Sequence, residues 1–409
     1  MTKTRTPAQP SVLRLAGFGY FLIAFIARLP FAMMVVGVLT LVVSARGSLA
    51  LGGLTSAFVG LGTAVLGPLI GAAADRFGQR TVLLISAVVN AAMLVAIAVV
   101  AYADAPDAAV LAVAFGIGAS APQVAPMSRS RLVTIITERM EPARHARTVS
   151  ATFSYESAAD ETVFVFGPFL VGLLASAVAP WLPLVCAAVL TVVFVGAFAL
   201  HPTGRRIAAD RHADGSAPSA VAELFRPALL VVVVGIFGVG LFFGAMLTSL
   251  TAFMDDRGQS EQAGLLYGVM GIGSAVLALG VVLLPARFSP RARWIAFAAI
   301  LLAGSCLVPM AASVGQMLLA LAIMGIGIGP TLVTQYSFGA ARSPAGRSAT
   351  VMTMLGSAVI VGQSIGSAVT GELAERVGTG AALLLPLVAA AVVLVAGLAN
   401  APLSRLAPR

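Results

Sequence analysis

Twelve apolar stretches follow one another between residues 15 and 400, each long enough to cross ~30 Å of hydrocarbon at ~1.5 Å per residue. No soluble core could absorb them. Inside a bilayer every backbone N–H and C=O must be satisfied internally, so stretches of this length and apolarity are helices. They lie at 15–44, 49–73, 81–103, 108–132, 148–178, 181–200, 227–254, 262–285, 292–312, 315–338, 346–371 and 377–400, placed to within ~4 residues. Composition agrees: 59% of the residues are hydrophobic and 10% charged, with a mean hydropathy of +1.01. Soluble domains carry roughly 25% charged residues. The first run has a basic flank, but it continues past Arg28 and Pro30 without a small-residue cleavage site, so it is expected to be a retained helix.

The same residues exclude several kinds of chemistry. Lys3 is the only lysine and has no glycine-rich surroundings, so a phosphate-binding loop is absent and ATP is not bound that way. Cys186 and Cys306 sit in separate apolar runs with no metal spacing, and His145, His201 and His212 fall in connectors. No cofactor and no metal are expected. A net charge of +9 would suggest nucleic acid in a soluble protein, but here the positive charges segregate. With the amino terminus cytoplasmic, 21 Lys and Arg residues fall on the inside, including Arg129 and Arg131. Only Arg46, Arg257 and Arg376 fall outside, and Arg28 alone falls within a span. That bias predicts a multi-pass protein of the cell membrane with both termini cytoplasmic and lipid, not nucleic acid, as its surroundings.

The polar stretch 201–226 reads as a cytoplasmic linker between two six-helix bundles, residues 1–200 and 227–409. Arg76, Phe77 and Arg80 recur as Arg287, Phe288 and Arg291 at a constant offset of 211. The expected fold is therefore an all-α membrane protein of twelve transmembrane helices in two pseudo-symmetric halves related by an axis along the membrane normal.

Four ionised residues fall within spans: Arg28 in the first and Glu156, Asp160 and Glu161 in the fifth. Each costs ~2.5–3.5 kcal/mol at a helix centre, so each must face protein or a water-filled cavity. Counted from the cytoplasmic ends, Arg28 and Glu161 lie about 20 Å deep, Asp160 about 18 Å and Glu156 about 12 Å. Glu156 and Asp160 are one turn apart and share a face, whereas Glu161 points about 100° away from Asp160.

The segment GAAADRFGQR, from Gly71 to Arg80, resembles the G-x-x-x-D-R-x-G-R-R loop of the major facilitator superfamily, in the expected place between the second and third spans. Gln79 stands where the family usually has arginine. The resemblance covers essentially the whole chain and is to the bacterial drug and metabolite exporters. It implies a conformational latch made of Gly71, Asp75, Arg76, Gly78 and Arg80, with Asp75 meeting the ends of neighbouring helices. Read without the resemblance, Arg76 and Arg80 are equally orientation charges. FGPFLVG, with Gly167, Pro168 and Gly172, is similar to the antiporter element G-P-x-x-G-G, although Val171 replaces the first paired glycine. It implies a helix kink where the two halves meet, or a packing kink without directional meaning.

In the family fold the first and fifth helices are neighbours. Arg28 is therefore expected to pair with Asp160 or Glu161, leaving another carboxylate free to take a proton; a static packing network is the other reading. The family lines its cavity with helices one, four, seven and ten, which here offer Tyr20, Gln123, Thr248, Thr334 and Gln335, with Gln363 on the eleventh. The function this implies is secondary active transport by alternating access, as a monomer, with proton-coupled export of a lipophilic or amphiphilic small molecule. The runner-up is uptake of a sugar, amino acid or organic anion, with Arg28 binding substrate. A membrane-embedded enzyme is set aside because Asp255 and Asp256 lack a third acid at the D-D-x-x-D spacing.

Overall fold

The computed structural model describes residues 11–204, 219–259, 263–285 and 287–403. Twelve helices among them are long and apolar enough to span a membrane. They are α1 (Phe18–Arg46), α2 (Leu51–Phe77), α3 (Gln79–Val100), α4 (Asp107–Arg139), α5 (Pro142–Ala177), α6 (Leu182–Leu200), α7 (Pro227–Asp255), α8 (Leu266–Leu283), α9 (Pro290–Met310), α10 (Val314–Ala341), α11 (Ser348–Arg376) and α12 (Thr379–Asn400). An even number of crossings returns Ser11 and Leu403 to one end of the molecule, called here the terminal end. Of the linker expected at 201–226, only residues 201–204 and 219–226 are described.

Proline explains the two internal breaks. Pro30 has no N–H to donate, and α1 is interrupted at Ala27 and Arg28 between Phe18–Ile26 and Leu29–Arg46. Pro122 does the same to α4, which is split into Asp107–Ser120 and Val124–Arg139 around Gln123. The second piece corrects a boundary. The fourth apolar run was expected to end at 132, with Arg129 and Arg131 in a cytoplasmic loop; both arginines are instead buried inside α4. Hydropathy averages read arginine as solvent-facing wherever it falls, whereas an arginine that points at protein extends a span. Arg28 is thus not alone within the spans.

Close helix packing runs through small residues. A β-carbon on Gly118 of α4 would lie 2.7 Å from the Val59 carbonyl carbon on α2, and one on Gly62 would lie 2.6 Å from the Ala119 nitrogen. In the second half Gly329 of α10, 211 residues on from Gly118, brings α10 against α8, where a β-carbon would lie 2.9 Å from the Ser274 carbonyl carbon, while Gly273, 211 on from Gly62, approaches Gly325 less tightly, at 3.4 Å. The halves meet where α2 packs on α11, α4 on α11, and α5 on α8 and α10. Along α2 and α11, Gly71 faces Thr353, Gly67 faces Ser357 and Gly60 faces Ser364, an antiparallel seam running from the terminal end to mid-depth. The far piece of α1 packs on α2, α5 and α6 of its own half.

Candidate functional site

The break in α1 sets Arg28 at the heart of the first half, 3% exposed. Its Nη2 forms an ion pair with Oε2 of fully buried Glu156, and its Nε lies 3.3 Å from Oδ1 of Asp160, one turn along α5. The other oxygen of Asp160 is 2.6 Å from Nη2 of Arg129 on α4. Ser128 donates to Glu156 at 3.0 Å, and its hydroxyl lies 2.9 Å from that of Tyr20. Two guanidiniums thus face two carboxylates and the formal charge is zero. Removing an ion from water costs several kcal/mol even after relaxation, so such a cluster survives only when each charge is answered. Asp160, 21% exposed, is the one carboxylate of the pairs open to its surroundings. Arg129 also reaches the other half, its guanidinium 4.0 Å from the ring centroid of Tyr336 on α10.

A third buried cation, Arg131, has no carboxylate against it among the described residues. Arg131 donates to Gln79 Oε1 at 3.2 Å, Phe198 O at 3.0 Å and Thr203 Oγ1 at 3.1 Å, and its guanidinium stacks 4.2 Å from the Phe198 ring centroid. Gln79, the residue that departs from the loop signature, is thereby an acceptor, a role that an arginine could not fill.

At the terminal end Asp75 crosses between the halves. Its carboxylate accepts from Ala349 N at 3.1 Å and from Thr350 N and Oγ1 at 2.7 and 2.6 Å, the first turn of α11. Arg347, at the N-cap of α11, offers no side-chain cap, so a residue from the other half satisfies those amides. Gly71 makes this approach possible: a β-carbon there would sit 2.8 Å from the Ala349 carbonyl oxygen. Gly78 turns the chain from α2 into α3 with φ of +87°, a conformation that costs glycine little. Arg76 is exposed over the Phe77 ring, and Arg80 is half-buried.

Several expectations need correction. Arg28 pairs with Glu156 as well as Asp160, because helical structure in α5 starts at Pro142 rather than 148 and the depths counted from 148 were too shallow. The side chains of Glu161 and Pro168 lie outside the described residues. Gly167 packs on Ala32 of α1, within its own half rather than between halves, and Gly172 has open space where a β-carbon would point. α5 continues unbroken through both. Of the cavity candidates, Tyr20 is a core residue between Ser128, Phe198 and His201. Gln123 donates to Ala121 O beside its own helix break, and Thr334 donates to Pro330 O one turn back. Gln335 is fully buried, near Gly235 and Trp294, with neither amide atom hydrogen-bonded. Thr248 and Gln363 alone are half-exposed. Polar groups in hydrocarbon bond first to their own backbone or to a neighbouring helix, and that is where Tyr20, Gln123 and Thr334 went. Sequence reasoning missed Arg129 and Ser128 as members of the network. The apolar residues Leu132, Val133, Ile135 and Ile136 continue the helical period past Arg129 and Arg131, and were the available signal.

Twelve spanning helices in two packed halves, with an ion-pair network buried between helices of one of them, define a membrane transporter and not an enzyme. The chain belongs to the major facilitator superfamily, whose sequence model (Major Facilitator Superfamily) matches residues 18–359. No curated protein matches it in sequence. Among solved structures it is similar to the human organic anion transporter MFSD10 (TETRAN), at 19% identity and a TM-score of 0.73, over 96% of this chain and 100% of that one. It is also similar to a bacterial homologue of the iron transporter ferroportin in an outward-facing state, at 15% identity over 94% and 98% of the chains, with TM-scores of 0.72 with soaked iron and 0.73 without. At these identities the likeness is one of fold.

Proposed function

We propose that the protein is a monomeric proton-coupled exporter of a lipophilic or amphiphilic small molecule in the cell membrane, with both termini cytoplasmic, working by alternating access between its halves, residues 1–200 and 227–409. One observation carries this reading: Asp160 is partly exposed, is shared by Arg28 and Arg129, and is one residue removed from the other half through Tyr336. A proton arriving at Asp160 cancels the charge that holds Arg129, leaving the guanidinium to its stack on Tyr336 and the cluster with one uncompensated positive charge. Relief of that charge then favours a different arrangement of α4 and α5 against α10. Glu156, closed off and held by Arg28 and Ser128, keeps Arg28 in place throughout. Asp75, with Gly71 and Gly78 shaping its approach and Arg76 and Arg80 beside it, acts as the latch that holds the terminal end shut.

A second reading has its own support. Arg28 Nη1 and Arg129 Nε are buried without hydrogen-bond partners, and a carboxylate or sulfonate substrate would supply them, as in uptake of an organic anion. Among the described residues no group of three or more His, Cys, Asp or Glu side chains is placed to hold a metal ion, so the iron cargo of the ferroportin homologue is not carried over.

Proteoliposomes with an imposed pH gradient test both. Gradient-driven flux of lipophilic compounds in the wild type, lost in Asp160→Asn while gradient-free exchange persists, supports export. Gradient-driven flux in Asp160→Asn equal to that of wild type refutes the proton site. Flux of organic anions only, lost in Arg129→Gln, establishes the second reading.

A further inference from the structure

A third set of arginines lies outside this network, at the terminal end of the second half. Arg342 follows directly on α10. Its Nη1 donates to the Ala228 carbonyl at the start of α7, its guanidinium stacks 4.7 Å from the Phe338 ring centroid, and its Nη2 is buried without a partner. Phe338 in turn packs on Trp294 of α9, ring centroids 6.0 Å apart. Arg291 precedes Trp294 by about one turn on α9, on the face that meets Phe338, and lies within range for its charge to act on Arg342. The two guanidiniums repel one another, and among the described residues no carboxylate acts on Arg342 to offset this. Burial and the Arg291 charge both push Arg342 below the usual arginine range.

Among the described residues, the terminal end of the second half carries Arg226, Arg287, Arg291, Arg293, Arg342 and Arg347, against a single acid, Glu223. That acid is already spent on Arg226 at 2.9 Å. Arg293 and Arg347 are occupied with the carbonyls of Phe288 and Ser219. Arg287, Arg291 and Arg342 are left without a carboxylate partner among the described residues; of these Arg287 is exposed, whereas Arg291 and Arg342 are half-buried and close enough for the charge of one to act on the other, and Ser343 Oγ next to Arg342 is also buried and unpartnered.

We propose that the Arg342–Arg291 pair at the terminal end of α9 and α10 binds the phosphate of an anionic phospholipid headgroup. Two guanidiniums with no acid between them match a phosphodiester, which accepts from both forks and removes their repulsion. The flanking surface favours a lipid over free phosphate. Phe225, just before α7, is 64% exposed and Leu283, at the end of α8, is 83% exposed. Both present apolar faces at the same end of the bundle, as a headgroup site bordered by acyl chains requires. Basic recesses between helices at a membrane surface commonly take such headgroups.

Native mass spectrometry of the purified full-length protein, delipidated and then titrated with phosphatidylglycerol, phosphatidylcholine or inorganic phosphate, tests this. Expected is preferential retention of one phosphatidylglycerol, reduced about tenfold in Arg342→Gln and in Arg291→Gln, as for loss of one charge-assisted contact. Arg139→Gln, an exposed arginine at the terminal end of the first half, retains it like wild type. Arg291 is only half-buried, so its variant answers the question even if Arg342→Gln fails to fold. Equal retention of phosphatidylcholine, or wild-type retention of phosphatidylglycerol by Arg291→Gln, overturns the site. Binding of inorganic phosphate that depends on Arg342 and Arg291, without phosphatidylglycerol retention, overturns the lipid assignment.

Discussion

Asp75→Asn offers the cleanest perturbation, because every one of its hydrogen bonds described above crosses from one half to the other. The carboxylate takes Ala349 N on one oxygen and both Thr350 N and Thr350 Oγ1 on the other. An asparagine keeps one oxygen, so its NH2 must point at an N–H on one side. Hydrogen bonds to a charged acceptor are worth about 1.5–3 kcal/mol and neutral ones about 0.5–1.5. Losing a negative charge at the start of α11, a helix of 29 residues, removes about 0.3–2 kcal/mol more. Together these give about 3 kcal/mol, on the order of 100-fold in an equilibrium constant. The contacts exist only while α2 and α11 touch at the terminal end, so the whole penalty falls on that state. A closed-to-open ratio of about 99:1 would fall to roughly 1:1. Spin labels at exposed Arg139 on the first half and exposed Ala292 at the start of α9 on the second, with Cys186 and Cys306 replaced, report the separation by double electron–electron resonance. A second, longer distance should appear in Asp75→Asn and match the short one in population. A distribution indistinguishable from the parent would mean that these hydrogen bonds do not hold the halves together, and the latch reading would fall with them.

Arg28→Ala strands the fully buried Glu156 without its counter-ion and should cost about 3–5 kcal/mol, seen as a fall in thermal unfolding temperature in detergent. Gly118→Ala drives a methyl into the backbone of α2 and should destabilise by about 1–3 kcal/mol or more. Gly172→Ala, with open space around it, should instead stabilise by up to about 1 kcal/mol through helix propensity, and thermal unfolding of the pair checks the contrast. Tyr336→Leu removes the stack on Arg129, worth about 2 kcal/mol when desolvated, and should open the terminal end in the same label pair.

What was legible in the sequence divides along the range of the forces involved. Length and apolarity decide a membrane span locally, so all twelve helices could be placed from the chain alone. Asp75 was legible for the same reason: a lone acid in a basic turn after a glycine marks its surroundings without knowledge of distant partners. The charge network was half legible. Arg28 and the carboxylates of α5 stood out because nothing nearby justified their cost in hydrocarbon. Their pairing was harder, since it turned on Pro30 interrupting α1 and on α5 starting at Pro142, and both shift depth by several residues. Arg129 and Arg131 were misread because arginine serves two purposes in such chains, fixing orientation at the membrane surface and filling ion pairs inside, and composition does not separate them. Direction on the helix does. The two are separated by about 200° around α4 at ~100° per residue, so one turns toward Asp160 and Tyr336 while the other turns toward Gln79 and Phe198. Two orientation charges at a helix end would both face headgroups and have no reason to pick opposite interior partners. That opposition makes α4 a strut joining α5 and α10 on one face to α3 and α6 on the other, and a change of charge at Asp160 therefore acts on a helix held from both sides.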